Sequence, residues 1–483
     1  MKWLKSAGFK KAAAAVVCTA LVGTVLSGCG EQTVQADPVT ITVWTYYNGA
    51  QLDSFNQLVE EFNETEGKKQ GITVESYSQG SVNDLEANVR SAADGKVGAE
   101  SLPNIFSAYA DTAQYLDKLD LLVNLKDYLT EAECADYVAG YLAEGDIDGN
   151  GSLKILPVAK STELLFLNDT DYQTFAQATG TDYSELETVE GLIRVAERYY
   201  QWTDAQTEEP DDGRAFFGRD AMANYLFIGA KELGDTIFSV DADGKMTVTL
   251  QEATARKLWD SYYVPFIKGY FSMAGRFRSD AVKTGNILAY VGSSSSATFF
   301  PASATINDTD THDIALKVLP CPSFEGRPKY SVQQGAGMAV TRKSEAEIQA
   351  SVLFLKWFTS PEHNIAFAVN SGYLPVTTAA NDLEVVRSSG AELTDNVNSV
   401  LQAAFDAVHN TELYTPSAFS KGKEARSVLE YTLSDLAAQD RETVEARMEQ
   451  GMSREAAMAD FLSDASFTAW YQDLMGQLKA FEG

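Results

Sequence analysis

Aromatic, hydroxyl and carboxylate side chains are concentrated in short loops that follow the predicted strands of this chain. Such residues suit carbohydrate recognition, because aromatic rings cover the apolar face of a sugar ring and planar polar groups bond its hydroxyls. In open α/β sheets, ligands lie beyond the carboxyl ends of the strands. We therefore expect ligand contacts from Tyr46, Tyr47, Asn48, Ser107, Tyr109, Asp111, Thr162, Glu163, Phe217, Arg219, Ser293, Ser294, Ser295, Gly335 and Gly337.

Cationic side chains are few near these loops. Lys160, Arg219 and Arg426 are the candidates. A phosphate ester needs such cations in its site, whereas a neutral sugar does not. The sequence therefore favours a carbohydrate over a phosphate ester as the ligand.

Catalytic and metal chemistry find little support. The three histidines, His312, His363 and His409, do not lie at zinc-ligand spacing with another His or Cys. The sequence has neither a phosphate-binding glycine loop nor a Gly-x-Ser-x-Gly elbow. With 68 Asp and Glu residues, no glycosidase pair can be singled out. We predict no catalytic residue, no metal and no cofactor.

One acidic run, DIDGNG at residues 146–151, matches the first half of a calcium-binding loop. The bidentate acid that would complete the loop falls at Pro157. Asx and Gly residues also build tight turns without a metal. The sequence favours a turn and leaves calcium binding as the alternative.

The elements that position these loops begin with a strand, a helix and a second strand. Residues 39–44 alternate β-branched residues, an apolar helix face follows at 52–62, and residues 72–74 form the next strand. A third strand is predicted at 103–106. This order is typical of a parallel sheet with helices on its faces.

Residues 333–376 carry the most distinctive pattern. A glycine turn at 335–337 leads into a buried strand at 338–340. Ser344 and Glu347 form a capping-box start, Ser360 and Pro361 start a second helix, and Gly372 ends it. The strand, the helix containing FLKWFTSP, the second helix and SGYLPV resemble the extracellular solute-binding proteins of ABC importers.

The resemblance is to family 1, which takes up sugars, oligosaccharides and glycerol phosphates, and it covers nearly all of the mature chain. It implies an α/β, two-lobe periplasmic-binding-protein-like fold of type II with a ligand cleft between the lobes. The N-terminal lobe would comprise residues 38–157 and 333–378, and the C-terminal lobe residues 158–332 and 379–483. Positions matching the family's ligand contacts are Tyr46, Asn48, Ser107, Glu163, Phe217, Ser294 and Gly335.

The same resemblance implies the partners. A monomer would bind a sugar or oligosaccharide, close its lobes over it, and deliver it unchanged to an ABC permease and its ATPase subunits. Such a protein is not an enzyme. The alternatives are a lipid-anchored carbohydrate-active enzyme, a binding protein for a glycerol phosphate or polyol, and an adhesive surface lipoprotein.

Residues 1–28 are interpreted as a lipoprotein signal peptide. Several lysines precede an apolar segment at 12–26, which is too short to span a bilayer comfortably. Residues 26–29, LSGC, then resemble the lipobox of bacterial lipoproteins. The resemblance implies that Cys29 carries the lipid, palmitate included, and that residues 29–37 tether an extracytoplasmic protein to the cell membrane of a bacterium.

Length and charge bound the number of domains and the possible partners. A chain of 483 residues is too long for one compact core, so we expect two domains or more. Its formal charge of −30 disfavours binding to nucleic acid and electrostatic adhesion to anionic lipid. After removal of the signal peptide, the remaining cysteines are Cys29, Cys134 and Cys321. Cys134 and Cys321 could form a disulfide, but we favour two small buried hydrophobic residues.

Overall fold

The computed structural model describes residues 38–482, with gaps at residues 242–243, 276 and 308–309. The predicted signal peptide, Cys29 and the tether lie outside the described residues. The strands are β1 Val39–Thr45, β2 Ile72–Ser78, β3 Ile105–Ala108, β4 Leu156–Pro157, β5 Glu163–Asn168, β6 Phe217–Arg219, β7 Phe238–Val240, β8 Met246–Val248, β9 Ala289–Ser293, β10 Ser303–Asn307, β11 Asp310–Asp313, β12 Leu316–Pro320, β13 Tyr330–Val332, β14 Gly337–Val340 and β15 Glu412–Tyr414.

Helices occupy most of the remaining chain. They are α1 Gly49–Glu64, α2 Glu66–Gln70, α3 Val82–Ala93, α4 Ala110–Lys118, α5 Glu131–Ala135, α6 Ala139–Ala143, α7 Asp169–Thr179, α8 Val189–Asp204, α9 Met222–Glu232, α10 Glu252–Ile267, α11 Arg278–Lys283, α12 Glu345–Phe358, α13 Pro361–Ser371, α14 Leu383–Ser388, α15 Asp395–Asn410, α16 Gly422–Glu449, α17 Arg454–Met458 and α18 Asp464–Lys479. No helix among the described residues is long and apolar enough to cross a membrane.

The first sheet has five strands in the order β2-β1-β3-β14-β4. The strand β1 is parallel to β2 and β3, and β14 is antiparallel to β3 and β4. Helix α1 buries Phe55, Leu58 and Phe62 against this sheet's core. The predicted strand–helix–strand start and the predicted third strand are therefore confirmed.

The second sheet has four strands in the order β12-β5-β9-β6. All six residues of β5 are buried. Leu164 and Phe166 belong to one core cluster, whereas Leu165 and Leu167 belong to the other. Both faces of β5 are therefore covered by packing. This explains its continuous apolar run, because a strand that is buried on both faces has no polar side to alternate with.

The long helix α16 is part of the second core. Its Leu429 and Leu433 are fully buried there, and it packs against α9, α10 and α18. The carboxylate of Glu430 accepts the backbone N–H groups of Met222 at 3.0 Å and Ala223 at 2.9 Å. Since the first amides of a helix have no intrahelical partner, this carboxylate caps α9 and joins the two helices.

The helix boundaries predicted in residues 333–376 are confirmed, with one correction. Ser344 and Glu347 form the capping box of α12, and Gly372 ends α13 with a φ of 76°. Ser360 stands at the N-cap of α13, but its side chain makes no capping bond. Its hydroxyl instead donates to the carbonyl oxygen of Trp357 at 2.8 Å, because α12 ends only two residues earlier.

Three passages of the chain connect the two sheets, at residues 158–162, 333–336 and 372–376. We call them the crossing segments. Lys160 and Leu374 exchange both backbone hydrogen bonds, at 3.1 and 2.5 Å. Ser161 and Gln334 do the same, at 3.0 and 2.9 Å. The three crossing segments therefore form one hydrogen-bonded ribbon.

Lys160 sits at the centre of this ribbon and is 2% exposed. Its ammonium group forms an ion pair with Glu144 and donates to the carbonyl oxygen of Gly335 at 3.1 Å. A buried charge is tolerated only when it is paired and hydrogen-bonded. Lys160 therefore fixes the segment before β14 against α6 and its following turn.

Two features that the sequence left open can be described in the structure. Cys134 and Cys321 are free, so the disulfide alternative is wrong. The carboxylate of Asp146 accepts the backbone N–H groups of Asn150 at 3.1 Å and Gly151 at 2.9 Å, which is a turn. Among the described residues, no three His, Cys, Asp or Glu side chains are grouped as metal ligands.

Gly335 is a position where a side chain is excluded. Its φ is +87°, and an added Cβ would lie 2.6 Å from the carbonyl oxygen of Ala159. We expect Gly335→Ala to lower the free energy of unfolding by about 1–3 kcal/mol, because both the left-handed conformation and the close approach become strained. Urea denaturation measures the change.

The matched control is Gly476→Ala on α18, where an added Cβ meets nothing within 4 Å. This change should raise the free energy of unfolding by about 0.5–1 kcal/mol, since alanine favours a helix interior. Equal midpoints for Gly335→Ala and the unmodified chain would contradict the assignment of strain to the crossing segment.

Candidate functional site

A cavity of about 350 Å³, the central groove, lies between elements of the first and second sheets. Tyr109 and Asp111 line it from the first sheet, at the start of α4. Asn224 and Phe227 line it from α9, beside the second sheet. The crossing segment at Gly335 forms part of its wall. A solute in the central groove would therefore contact both sheets and the connection between them.

Aromatic side chains form one wall of the central groove. Phe238 lies between Phe227 and Phe419, with ring centroids 5.8 and 5.2 Å apart and the rings edge to face. Tyr109 contributes a half-buried ring on the other side and stacks on Tyr46 at 6.3 Å. Such rings offer flat apolar surfaces to a ligand.

Three polar atoms of the central groove stand out. The side-chain carbonyl oxygens of Gln333 and Gln334 and the hydroxyl oxygen of Thr415 are buried and have no hydrogen-bond partner within the described chain. Buried polar atoms are normally satisfied, and leaving one unpaired costs about 1–3 kcal/mol. Residues that line the central groove thus carry acceptors without a partner in the described chain, beside the aromatic wall, and such acceptors can bind hydroxyl groups.

Asn224 links the central groove to a buried ion pair. Its amide nitrogen donates to Glu163 at 2.9 Å, and its amide oxygen accepts from Arg426 at 2.6 Å. Glu163 also accepts from Arg219 at 2.9 Å. Burial alone would lower the pKa of Arg219, but the charges of Glu163 and Cys321 and the hydrogen bonds to them together outweigh burial and raise it. The bonds from Asn224 to Glu163 and from Arg426 to Asn224 therefore hold the amide of Asn224 in place.

The charges that line the central groove are mostly paired. Glu144 binds Lys160, and Glu86 binds Lys423 at 2.5 Å. Asp111 differs from these pairs. Burial raises the pKa of Asp111 to about 6, with a further contribution from the nearby charge of Glu86.

A second cavity of about 380 Å³, the acidic chamber, adjoins the central groove. The two share Ala110, Glu144 and the loop at 415–418. The acidic chamber is lined by Asp146, Asp148 and Lys118 among others. Burial and a hydrogen bond with Asp117 raise the pKa of Asp148. The shared wall makes the two cavities one elongated depression.

Three of the residues predicted to contact ligand line the central groove: Tyr109, Asp111 and Gly335. Tyr46 and Tyr47 instead belong to an aromatic cluster with Tyr373, in which the hydroxyls of Tyr46 and Tyr373 are 3.3 Å apart. Asn48 is exposed at the N-cap of α1. Tyr46 and Tyr47 are buried because they directly follow β1, where the chain passes over the first core.

The other predicted residues lie outside the lining of the central groove. Phe217 is 2% exposed and packs on Phe271, because the short strand β6 faces the second core. Thr162 and Ser294 bond each other through backbone and hydroxyl groups at 2.7 and 3.2 Å. The positions that are buried or used in local contacts are Ser107, Thr162, Glu163, Arg219, Ser293, Ser294, Ser295 and Gly337.

Sequence reasoning missed several residues of the central groove. Gln333 and Gln334 directly precede the predicted glycine turn, so their position beside Gly335 was a usable signal. Asn224 and Phe227 lie on a predicted helix that carried no ligand motif. The loop 415–419 reaches the groove because β15 pairs with β13, a contact between residues about 80 positions apart that no local pattern reveals.

Comparison with known families gives one match. The profile described as bacterial extracellular solute-binding protein matches residues 57–396, which is more than half of the chain. A search of curated protein sequences finds no significant match.

Solved structures share the fold at low sequence identity. The cyclic alpha-maltosyl-1,6-maltose binding protein from Arthrobacter globiformis has a TM-score of 0.65 at 16% identity, covering 92% of this chain and 100% of its own. UgpB from Mycobacterium tuberculosis in complex with glycerophosphocholine has a TM-score of 0.64 at 18% identity, covering 91% and 98%. The ABC substrate-binding protein Lmo0181 from Listeria monocytogenes in complex with cycloalternan has a TM-score of 0.60 at 15% identity, covering 91% and 99%.

These structures have the two-lobe α/β fold, and the mixed α/β fold of this chain matches it. Together with the family match over residues 57–396, this shows that the chain belongs to the bacterial extracellular solute-binding proteins.

Proposed function

We propose that this protein captures a neutral sugar or oligosaccharide in the central groove and delivers it unchanged to the permease of an ABC importer. The observation that carries the proposal is the set of unpaired acceptors, Gln333, Gln334 and Thr415, beside an aromatic wall. Hydroxyl groups of a sugar would satisfy these acceptors, and the rings would cover its apolar faces. Neighbouring structures of the same fold bind maltosyl-maltose and cycloalternan, which supports this ligand class.

The proposed lobes follow the crossing segments. Residues 38–157 and 333–378 would form the N-terminal lobe, and residues 158–332 and 379–483 the C-terminal lobe. Helix α15 packs against β5 and β12 of the second sheet, in agreement with its place in the C-terminal lobe. Ligand contacts on both lobes would favour the closed arrangement, because the solute contacts both lobes at once only when they are closed.

Direct contacts are proposed for Tyr109, Asp111 and Gly335, and for the acceptors that the sequence did not reveal. The other predicted residues would act as supports. Glu163 and Arg219, for example, would fix Asn224 at the groove wall through the bonds described above.

A second candidate is a binding protein for a glycerophosphodiester or a polyol phosphate. Arg426 lines the central groove, and its guanidinium donates to the side-chain amide oxygen of Asn224 at 2.6 Å. Its guanidinium could therefore face a phosphate group. UgpB, of the same fold, is solved with glycerophosphocholine.

Native mass spectrometry of the full-length protein purified from its host tests both candidates. We expect a bound neutral sugar, recovered with its mass unchanged after incubation. A bound phosphodiester would favour the second candidate, and a shortened glycan would favour a carbohydrate-active enzyme. A thermal-shift panel with maltotriose and glycerophosphocholine checks the result, because a ligand at a hundred times its Kd stabilises by about 2.7 kcal/mol. No carried solute and no shift would contradict solute binding.

Truncation of the half-buried ring in the central groove should weaken binding. We expect Tyr109→Ala to raise the Kd for the recovered solute about tenfold, since losing such a contact costs about 1–2 kcal/mol. Trp202→Ala is the matched control, because Trp202 is a half-buried aromatic residue that lines a different cavity with Asp171 and His312. Isothermal titration calorimetry should show an unchanged Kd for the control; equal losses would contradict the placement of the site.

We also propose that Cys29 anchors the protein to the outer face of the bacterial cell membrane. Cys29→Ala should abolish labelling by a palmitate analogue and move the protein from the membrane to the soluble fraction, because no acyl chain remains to bind the bilayer. Cell fractionation with immunoblotting measures the distribution. Cys134→Ala is the control and should stay with the membrane, and release of both variants alike would contradict anchoring at Cys29.

A further inference from the structure

Asp111 of α4 meets the start of α16 beside the central groove. Gly422 is the first residue of α16, and a Cβ added there would lie 2.8 Å from both carboxylate oxygens of Asp111. Only glycine permits this approach. The contact joins the two proposed lobes, since α4 follows β3 of the first sheet and α16 is packed in the second core.

Charged groups from both elements packed against Asp111 face it. Glu86 and Arg90 approach from α3, and Lys423 and Glu424 approach from α16. Lys423 forms an ion pair with Glu86 at 2.5 Å, and the guanidinium of Arg90 donates to the backbone oxygen of Asp111 at 3.4 Å. The ion pair thus adds a connection between α3 and α16 beside the contact between α4 and α16.

The carboxylate of Asp111 meets opposing effects at this contact. The first amides of a helix lack intrahelical partners and favour an anion, and the backbone N–H of Lys423 acts on Asp111 in this way. Burial opposes the charge more strongly, and Glu86 and Glu424 add to the opposition, so the pKa of Asp111 rises to about 6.

We propose that Asp111 and Gly422 form a latch between the lobes whose closure takes up a proton. The latch deepens the proposed function, on which it rests, because closing the lobes would enclose the solute. When the lobes separate, Asp111 faces water and returns towards the ordinary pKa of about 3.9. The closed arrangement therefore holds the proton more tightly than the open one.

The direction of the pH effect follows from this difference. Protonation of Asp111 makes its full contribution to the stability of the closed arrangement at pH values below about 4. This contribution is lost as the pH rises through about 6. The ratio of closed to open molecules should therefore be up to about tenfold larger at pH 5 than at pH 7.5, the full factor requiring a complete return of the pKa, because Glu86 and Arg90 on α3 stay beside Asp111 when α16 moves away.

Hydrogen exchange of the full-length chain, with no solute added, tests the latch. The measurement follows the peptide that contains the first turn of α16, whose amides depend on contacts outside the helix for protection. After correction for the pH dependence of chemical exchange, protection should be greater at pH 5 than at pH 7.5 by up to about tenfold.

Two variants separate the latch from general stability. Asp111→Asn, a neutral group of the same shape, should give equal protection at both pH values. Gly422→Ala should lower protection at both, because its Cβ meets the carboxylate, whereas Gly476→Ala on α18 should behave as the unmodified chain. Glu232, whose pKa burial raises to about 7, is present in every variant, so the difference between Asp111→Asn and the unmodified chain isolates Asp111.

Protection that is independent of pH in the unmodified chain would overturn the proposal. A tenfold pH effect that persists in Asp111→Asn would overturn it as well. The measurement uses no solute, so either result leaves the mass-spectrometric test of solute binding untouched. Conversely, a chain that binds no solute could still show the latch.

Discussion

Backbone hydrogen bonds between Lys160 and Leu374, and between Ser161 and Gln334, hold the three crossing segments side by side. The position of one sheet relative to the other depends on this ribbon, because the three crossing segments of the described chain are bonded to one another in it. The buried ammonium of Lys160 tightens the ribbon by binding Glu144 and the carbonyl oxygen of Gly335. A buried lysine without these partners would carry a cost of several kcal/mol, so the ion pair and the backbone geometry require each other. The central groove opens directly beside this ribbon, and its shape follows from the same bonds.

Glu163, which directly follows the first crossing segment, supports the wall of the central groove and is not part of its lining. Glu163 could have served as a ligand group, but Arg219 and Asn224 take both of its oxygens. An ion pair removed from water needs its remaining hydrogen bonds satisfied, and Asn224 supplies one of them. In return, the ion pair fixes the amide of Asn224 at the groove wall. Precise positioning of the wall is thus obtained from charges that need not touch the solute.

Local structure could be predicted from the sequence, whereas the composition of the site could not. The capping box at Ser344 and Glu347 and the helix end at Gly372 are properties of a few neighbouring residues, so the chain itself indicates them. Phe217 shows the limit, since a strand of three residues has too little alternation to reveal which face is buried. The loop 415–419 shows it more strongly, because only the pairing of β15 with β13 brings it to the groove. Side chains that face a cavity between two sheets depend on how distant segments meet.

The charge distribution of the groove explains how an acidic protein can present a neutral site. Glu86 and Glu144 are each neutralised by a lysine, and these two lysines also connect separate elements of the fold. The carboxylate of Asp111 is instead held between burial, the charges of Glu86, Arg90 and Glu424, and the first turn of α16. Its balance therefore changes when α16 moves away, whereas the ion pair of Lys160 and Glu144, formed at the ribbon, has no comparable dependence on α16. If the proposed latch operates, the ion pair of Lys160 and Glu144 fixes the crossing segments at one edge of the groove, while the contacts of Glu86 with Lys423 and of Asp111 with Gly422 break when α16 moves away. A clamp that must both hold a solute and release it needs a fixed connection at one edge and separable contacts at the other.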